Sequence, residues 1–219
     1  MSETDLLHGP GVMPAHDAKP TALVILLHGY GSNGDDLISL APYFQAAVPG
    51  AAFVAPNAPQ ACPGAPGGYQ WWAINTMLQA ERISGAEAAA PELDDYIDAM
   101  LEHLGLTEDR LVLAGFSQGT MMALHVGPRR GRQIAGIIGY SGMLVDETTL
   151  ADELRTKPPV LLVHGDQDPV IPVGAYADAK AGLERLGFIV TGHVSPGLGH
   201  SIDPAGLKLG QEFLKRVLG

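Results

Sequence analysis

An α/β fold of three layers, a mostly parallel sheet with helices on both faces, is predicted by three features of the sequence. Short apolar runs alternate with helix-patterned segments from residue 21 onward, the order that gives parallel strands joined by right-handed crossovers. The runs are rich in Val, Ile and Leu and lack polar alternation, as strands covered on both faces do. Hydrophobic residues make up 46% and charged residues 17% of the 219, an ordinary globular balance with enough apolar mass for one sizeable core. The expected organisation is an extended arm over 1–20, marked by Gly9, Pro10, Gly11, Pro14 and Pro20, followed by one domain over 21–219.

The strand candidates are Thr21–Leu27, Ala51–Ala55, Arg110–Ala114, Ile134–Tyr140, Pro159–Val163 and Phe188–Val194. Between them lie helix candidates at Asp35–Ala47, Pro91–Leu104, Ser117–Val126, Gly174–Leu186 and Asp203–Leu218. Pro91 reads as a first-turn proline, and Asp203-Pro204 as a cap followed by proline. Residues 56–90 break the rhythm: they are rich in Pro, Gly and Ala and carry Trp71, Trp72, Ile74, Met77 and Leu78. A loop this long in a small domain is usually functional or mobile. Its two tryptophans either pin the loop to the core or wall a cleft over the carboxyl ends of the strands, where ligands of parallel sheets bind.

Charge and cysteine usage narrow the function classes. Thirteen Lys plus Arg against 24 Asp plus Glu give a net charge of −11, which disfavours nucleic acid and anionic membrane surfaces. Cys62 is the only cysteine, so no intramolecular disulfide can form and a reducing compartment fits. The amino-terminal region carries Glu3 and Asp5 in place of a basic segment, and the early apolar run Ala22–Leu27 is too short for a signal peptide or a membrane span. The expectation is a cytoplasmic chain with no stable membrane insertion.

The strongest local signal is Gly115-Phe116-Ser117-Gln118-Gly119, at the junction of an apolar strand and a helix. With 8 serines and 28 glycines in 219 residues, chance would flank a serine with this glycine pair only about 0.13 times. A serine on such a turn exposes its hydroxyl, and the helix behind it points amides with partial positive charge at an oxyanion. The hydroxyl becomes a nucleophile only beside a base oriented by a third group, and on this architecture the acid and then the histidine follow the serine. Asp166 and Asp168 both follow the Pro159–Val163 strand. Asp168, deeper in its loop and before Pro169, is the better orienting acid; Asp166, suited to turn amides, is the alternative. Beyond them only His193 and His200 remain. His193 falls inside a strand, whereas His200 ends the Pro196-Gly197-Leu198-Gly199 loop, so His200 is the candidate base.

Oxyanion donors are expected from the main-chain N–H of Gln118 and from the loop His28-Gly29-Tyr30-Gly31, with Tyr30 the best candidate there. His28 precedes the nucleophile and is expected to hydrogen-bond locally. Ser141 belongs with the loop lining the cleft, beside Met143 and Leu144. The eight histidines show no metal-ligand spacing, and neither a phosphate loop nor a dinucleotide fingerprint is present. No metal and no cofactor are implied.

Taken together, Leu27–Gly31, Trp71–Ile74, Gly115–Gly119, Tyr140–Gly142, His164–Pro172 and Gly199–Ser201 resemble the phospholipase/carboxylesterase family, which includes acyl-protein thioesterases and small bacterial carboxylesterases of the α/β-hydrolase fold. The resemblance runs in order from about Thr21 to the carboxyl terminus. It implies a cofactor-free Ser117–His200–Asp168 triad, oxyanion amides from Tyr30 and Gln118, and a small ester, thioester or lysophospholipid substrate; members are often homodimers. Trp71, Trp72, Met143, Leu144 and Val170 are the expected substrate contacts. Two departures stand out: Ala73 where the family commonly has aspartate, and a Met77–Ala90 segment unlike the acyl-binding loop of the eukaryotic thioesterases. The function expected is a serine carboxylesterase for short to medium acyl chains. A long-chain thioesterase or lysophospholipase is the alternative, and a non-catalytic binder on the same fold the remote one.

Overall fold

The computed structural model describes residues 6–15, 18–76 and 78–219; Glu3 and Asp5 of the arm and Met77 of the long loop lie outside them. Seven strands form the central sheet: β1 (Gly11–Val12), β2 (Ala22–Leu27), β3 (Ala51–Val54), β6 (Leu111–Phe116), β7 (Gly136–Tyr140), β8 (Val160–Gly165) and β9 (Val190–Ser195). The two remaining strands, β4 (Gln60–Ala61) and β5 (Tyr69–Gln70), pair as a separate small hairpin. The sheet order is β1-β3-β2-β6-β7-β8-β9. All neighbours run parallel except β1, which pairs antiparallel with β3.

Residues of β2 show why the strands lack polar alternation. Leu23, Ile25 and Leu27 pack into one apolar cluster, while Val24 and Leu26 pack into another on the opposite face. The first cluster is closed by α3 (Gln79–Leu104), α4 (Gln118–Val126), α5 (Glu147–Glu153) and α6 (Gly174–Arg185) through Leu93, Met122, Leu150 and Leu183. The second is closed by α1 (Gly34–Ile38), α2 (Ala41–Gln45) and α7 (Pro204–Leu218) through Leu37, Phe44 and Phe213. The three layers are those the apolar pattern predicts.

Three local expectations are corrected, and the structure adds a helix and the seating of the arm. The helix expected over 35–47 is two short ones. Pro42 in the first turn of α2 cannot donate to the Ile38 carbonyl and breaks continuity. α1 has its own cap, the Asn33 side chain accepting from the Asp36 amide at 2.9 Å. The helix expected from Pro91 starts at Gln79, with Pro91 inside it. The Ala-rich turns before Pro91 are strong helix formers, and Glu81 ties the amides of Asn75 and Thr76 to the helix start at 2.9 and 2.8 Å. The loop 56–90 is therefore loop only up to Leu78. α5, capped by Asp146 through the Thr149 amide at 2.7 Å, went unread in the sequence. The described part of the arm is drawn onto the sheet: Ala55 N–H donates to the Pro10 carbonyl at 3.0 Å and Asn57 N–H to that of His8 at 2.9 Å. Among the described residues no helix is long and apolar enough to cross a membrane.

Candidate active site

Ser117 joins β6 to α4 with φ 54° and ψ −116°, a backbone conformation that costs a β-substituted residue of order 1–3 kcal/mol. The surroundings enforce it. Ser117 N–H donates to the Tyr140 carbonyl at 2.9 Å, and Thr120 Oγ1 bridges the carbonyls of Gly115 and Tyr140 at 2.8 and 2.9 Å. The flanking glycines serve close approach rather than the unusual φ. A Cβ on Gly119 would lie 1.9 Å from the Leu27 carbonyl oxygen, and one on Gly115 would lie 2.3 Å from the Gly119 backbone. The positive φ falls on the serine itself.

His200 lies in the connection from β9 to α7, and its Nδ1 is 2.7 Å from Asp168 Oδ2. An ionised carboxylate only accepts, so Nδ1 carries the proton and Nε2 is left with the lone pair. The imidazole packs on Phe116, the residue before Ser117, with ring centroids 4.8 Å apart. The loop that carries it is tied to the acid loop twice more: Asp166 Oδ1 accepts from Gly197 N–H at 2.6 Å, and Gln167 N–H donates to the Leu198 carbonyl at 2.9 Å. The structure thus separates the two carboxylates, bringing Asp168 to His200 and giving Asp166 a loop amide. His193 stays in β9, in register with Val163.

The Asp168 side chain is wholly buried. Its Oδ1 accepts from the amides of Val170 and Ile171, both at 2.9 Å. Burial pushes its carboxyl up, but the His200 hydrogen bond and those two amides outweigh burial and hold its pKa below the usual aspartate value. His164, which the sequence singled out for no role, braces the same loop. Its Nε2 is 2.8 Å from the Ile171 carbonyl and 3.4 Å from Asp168 Oδ2.

The loop after β2 runs against the elbow: a Cβ on Gly29 would stand 3.2 Å from Ser117 Cβ. His28 sets its shape, as expected. The buried ring accepts from Ala58 N–H at Nε2, 2.9 Å, so its proton sits on Nδ1, 2.8 Å from the Gly29 carbonyl. Burial lowers its pKa and keeps it neutral. Tyr30 follows, 41% exposed. The Gln118 amide, in the first turn of α4, has no intrahelical acceptor.

The Gln118 side chain carries a signal the sequence did not give. Its Oε1 accepts from Trp71 N–H and its Nε2 donates to the Trp72 carbonyl, both at 2.9 Å. The Trp71 indole donates to the His28 carbonyl at 3.0 Å. The strap Trp71–Trp72 therefore links the helix behind Ser117 to the loop after β2. This corrects the expectation that the tryptophans wall a cleft: Trp71 is fully buried and Trp72 nearly so. Trp72 packs so closely on α3 that a Cβ on Gly85 would lie 2.3 Å from its ring. Core burial of two large rings outweighs their use as cleft lining.

Met143 and Leu144 do face a cavity, of about 510 Å³, whose wall also includes Val145, Ala175 and Ala179. The loop that carries Met143 starts beside the elbow: a Cβ on the neighbouring Gly142 would lie 3.0 Å from the Ser117 carbonyl oxygen. Ser141, with φ 46°, anchors this loop by donating from Oγ to the Ser201 carbonyl at 3.3 Å. Val170 sits 53% exposed on the acid loop, outside the walls of this cavity. Among the described residues no group of three His, Cys, Asp or Glu side chains could hold a metal ion.

Residues 10–218 match the model of the phospholipase/carboxylesterase family. The chain belongs to that family. It is a hydrolase acting on ester bonds, built on the α/β-hydrolase fold. The crystal structure of esterase PE8 superposes with a TM-score of 0.93 at 41% identity, covering 97% of this chain and 99% of that one. Acyl-protein thioesterase 1 of Gibberella zeae is 29% identical over 95% of both chains. Esterase YpfH of Escherichia coli is 25% identical over 96% of this chain and 89% of that protein.

Proposed function

We propose that this hydrolase is a serine carboxylesterase working through Ser117, His200 and Asp168, with the main-chain amides of Gln118 and Tyr30 as its oxyanion hole. The observation that carries the reading is the 2.7 Å bond from His200 Nδ1 to Asp168, made while the same imidazole lies on Phe116 beside the strained serine. In the reaction, Ser117 Oγ attacks the acyl carbonyl and gives its proton to His200 Nε2. The tetrahedral oxyanion forms against amides already fixed in place. As the C–O bond breaks, the imidazolium returns the proton to the leaving alcohol. Water then attacks the acyl-enzyme by the same route, freeing the acid and Ser117. Asp168 stays ionised throughout and holds the Nδ1–H tautomer.

The acyl chain fits the cavity beside Met143 and Leu144. Its apolar stretch is short, because Asp146, Glu147, Asp178 and Arg185 share the wall; this favours short to medium acyl groups. Relatives named acyl-protein thioesterases keep a second reading open, hydrolysis of thioesters at the same serine. Both substrates are small molecules, and cytoplasmic residence agrees with the lone Cys62. Exchanging Ser117 for Ala should lower turnover of p-nitrophenyl butyrate by several orders of magnitude; turnover near the native rate would overturn the triad. Parallel rates on butyryl esters and thioesters decide between the two readings. A fluorophosphonate probe labelling native Ser117 separates an enzyme from a non-catalytic binder.

A further inference from the structure

A cavity separate from the one beside Met143 and Leu144 borders the elbow itself. This cavity, of about 330 Å³, is walled by His200 and Phe116 together with Asp36, Leu37, Leu40 and Ile202. It offers roughly ten water volumes of space. The imidazole of His200 is 18% exposed and forms part of this wall.

Proton bookkeeping assigns it. The atom that leaves carries away the proton held on His200 Nε2, so the leaving group must lie on the imidazole's side of the scissile carbonyl. The pocket that His200 itself walls, next to Phe116, lies on that side. We infer that this pocket is the leaving-group subsite and that it selects a neutral or cationic alcohol with an apolar stem over an anionic one. The inference rests on the Ser117–His200 reading.

The wall chemistry supports the selection. Leu37, Leu40, Phe116 and Ile202 supply an apolar lining, and the two hydroxyls present are Ser39 and Ser201. Ser39 Oγ donates to the Asp36 carbonyl at 2.5 Å. The charged group in the wall is Asp36, and neither lysine nor arginine contributes to it. The Asp36 carboxylate is fixed by Ser32, which donates to its Oδ2 at 2.6 Å; Oδ1 has no partner among the described residues. A phosphate or sulfonate there would meet a carboxylate and no lysine or arginine, on a chain whose net charge is already −11. A quaternary ammonium would meet the carboxylate and apolar side chains, which suit its methyl groups.

The test uses the full chain and three butyrate esters that differ only in the alcohol: choline, its neutral isostere 3,3-dimethylbutanol, and 3-hydroxypropanesulfonate. The choline ester should exceed the neutral one in kcat/KM by about fivefold, the size expected for one partly solvated charge pair at contact distance, and the sulfonate should be the poorest. Asp36→Asn should bring the choline-to-neutral ratio toward one, while Glu212→Gln, a carboxylate change on α7 outside the pocket wall, should leave it unchanged. Leu40→Trp, which fills the pocket without changing charge, should depress the dimethylbutyl ester relative to methyl butyrate. Three esters within twofold of one another, a preferred sulfonate, or an unchanged ratio in Asp36→Asn would overturn the inference. Loss of native p-nitrophenyl butyrate hydrolysis would instead overturn the esterase reading; normal hydrolysis without alcohol selection would sink only the subsite.

Discussion

Replacing Gln118 by methionine deletes both hydrogen bonds that join the nucleophile's helix to the Trp71–Trp72 strap while nearly conserving side-chain volume. Gln118 is 1% exposed, and its partners are two main-chain groups held at 2.9 Å. Methionine leaves the Trp71 N–H and the Trp72 carbonyl buried without a partner. Each orphaned group costs about 1–3 kcal/mol, so the variant should lose about 2–6 kcal/mol of folding free energy. In a chain of this size 1 kcal/mol moves the melting midpoint by about 2–4 °C, and a fall of about 10 °C is expected. Activity should fall as well, and in a diagnostic way. The strap also holds the loop after β2 through the Trp71 indole, so loosening it lets the two oxyanion donors drift apart. That loss is felt in the transition state, so kcat should fall about tenfold or more with KM little changed. Thermal unfolding followed by circular dichroism, with steady-state rates measured well below the new midpoint, separates the two effects. A native melting midpoint together with a native kcat would show that the clamp neither stabilises the chain nor positions its amides.

Asp168→Asn should cost about three to four orders of magnitude in kcat, because an amide can donate to Nδ1 and so favours the wrong imidazole tautomer; pre-steady-state acylation rates check this. His125, buried with Nδ1 unpartnered, has its pKa lowered by burial and by Arg129 from 6.5 to about 4. The folded state thus resists protonation that the unfolded chain accepts below pH 6.5. Stability should therefore fall as pH drops through that window, by on the order of 3 kcal/mol. Urea unfolding at pH 7 and pH 4.5 should show a smaller drop in His125→Leu than in the native chain; equal drops would remove His125 from the account. Gly119→Ala drives a methyl group to 1.9 Å from the Leu27 carbonyl oxygen, so the elbow should distort. Fluorophosphonate labelling of Ser117 should be slowed at least tenfold, and native labelling would show that the approach is not rigid.

Where the chain's own local preferences decide the outcome, the sequence was readable. Ala22–Leu27 reads as a doubly covered strand because all six residues are apolar, and it is one. Gly115–Gly119 reads as an elbow because small residues flank one serine between two periodicities, although it is the serine, φ 54°, that takes the strained backbone. Local preference also misled. Pro91 is so common at helix starts that it hid the twelve helical residues before it, whose alanines carried the true signal. Trp71 and Trp72 could be placed on the right loop but not on the right side of it. Whether a ring faces a cleft or the core depends on which helix packs behind it, and here that helix is α3.

From the string of residues alone came the parallel three-layer fold and the strand-to-helix elbow, both set by short-range periodicity and turn chemistry. The folded chain decided which carboxylate meets the imidazole 32 positions further along, and that a glutamine side chain clamps a strap 46 and 47 residues away. It also placed a cavity against Phe116 and His200. Those outcomes depend on how whole layers pack and which loops they press together. Contacts between distant segments are paid for by the collective burial of the core, and no local run of residues encodes them.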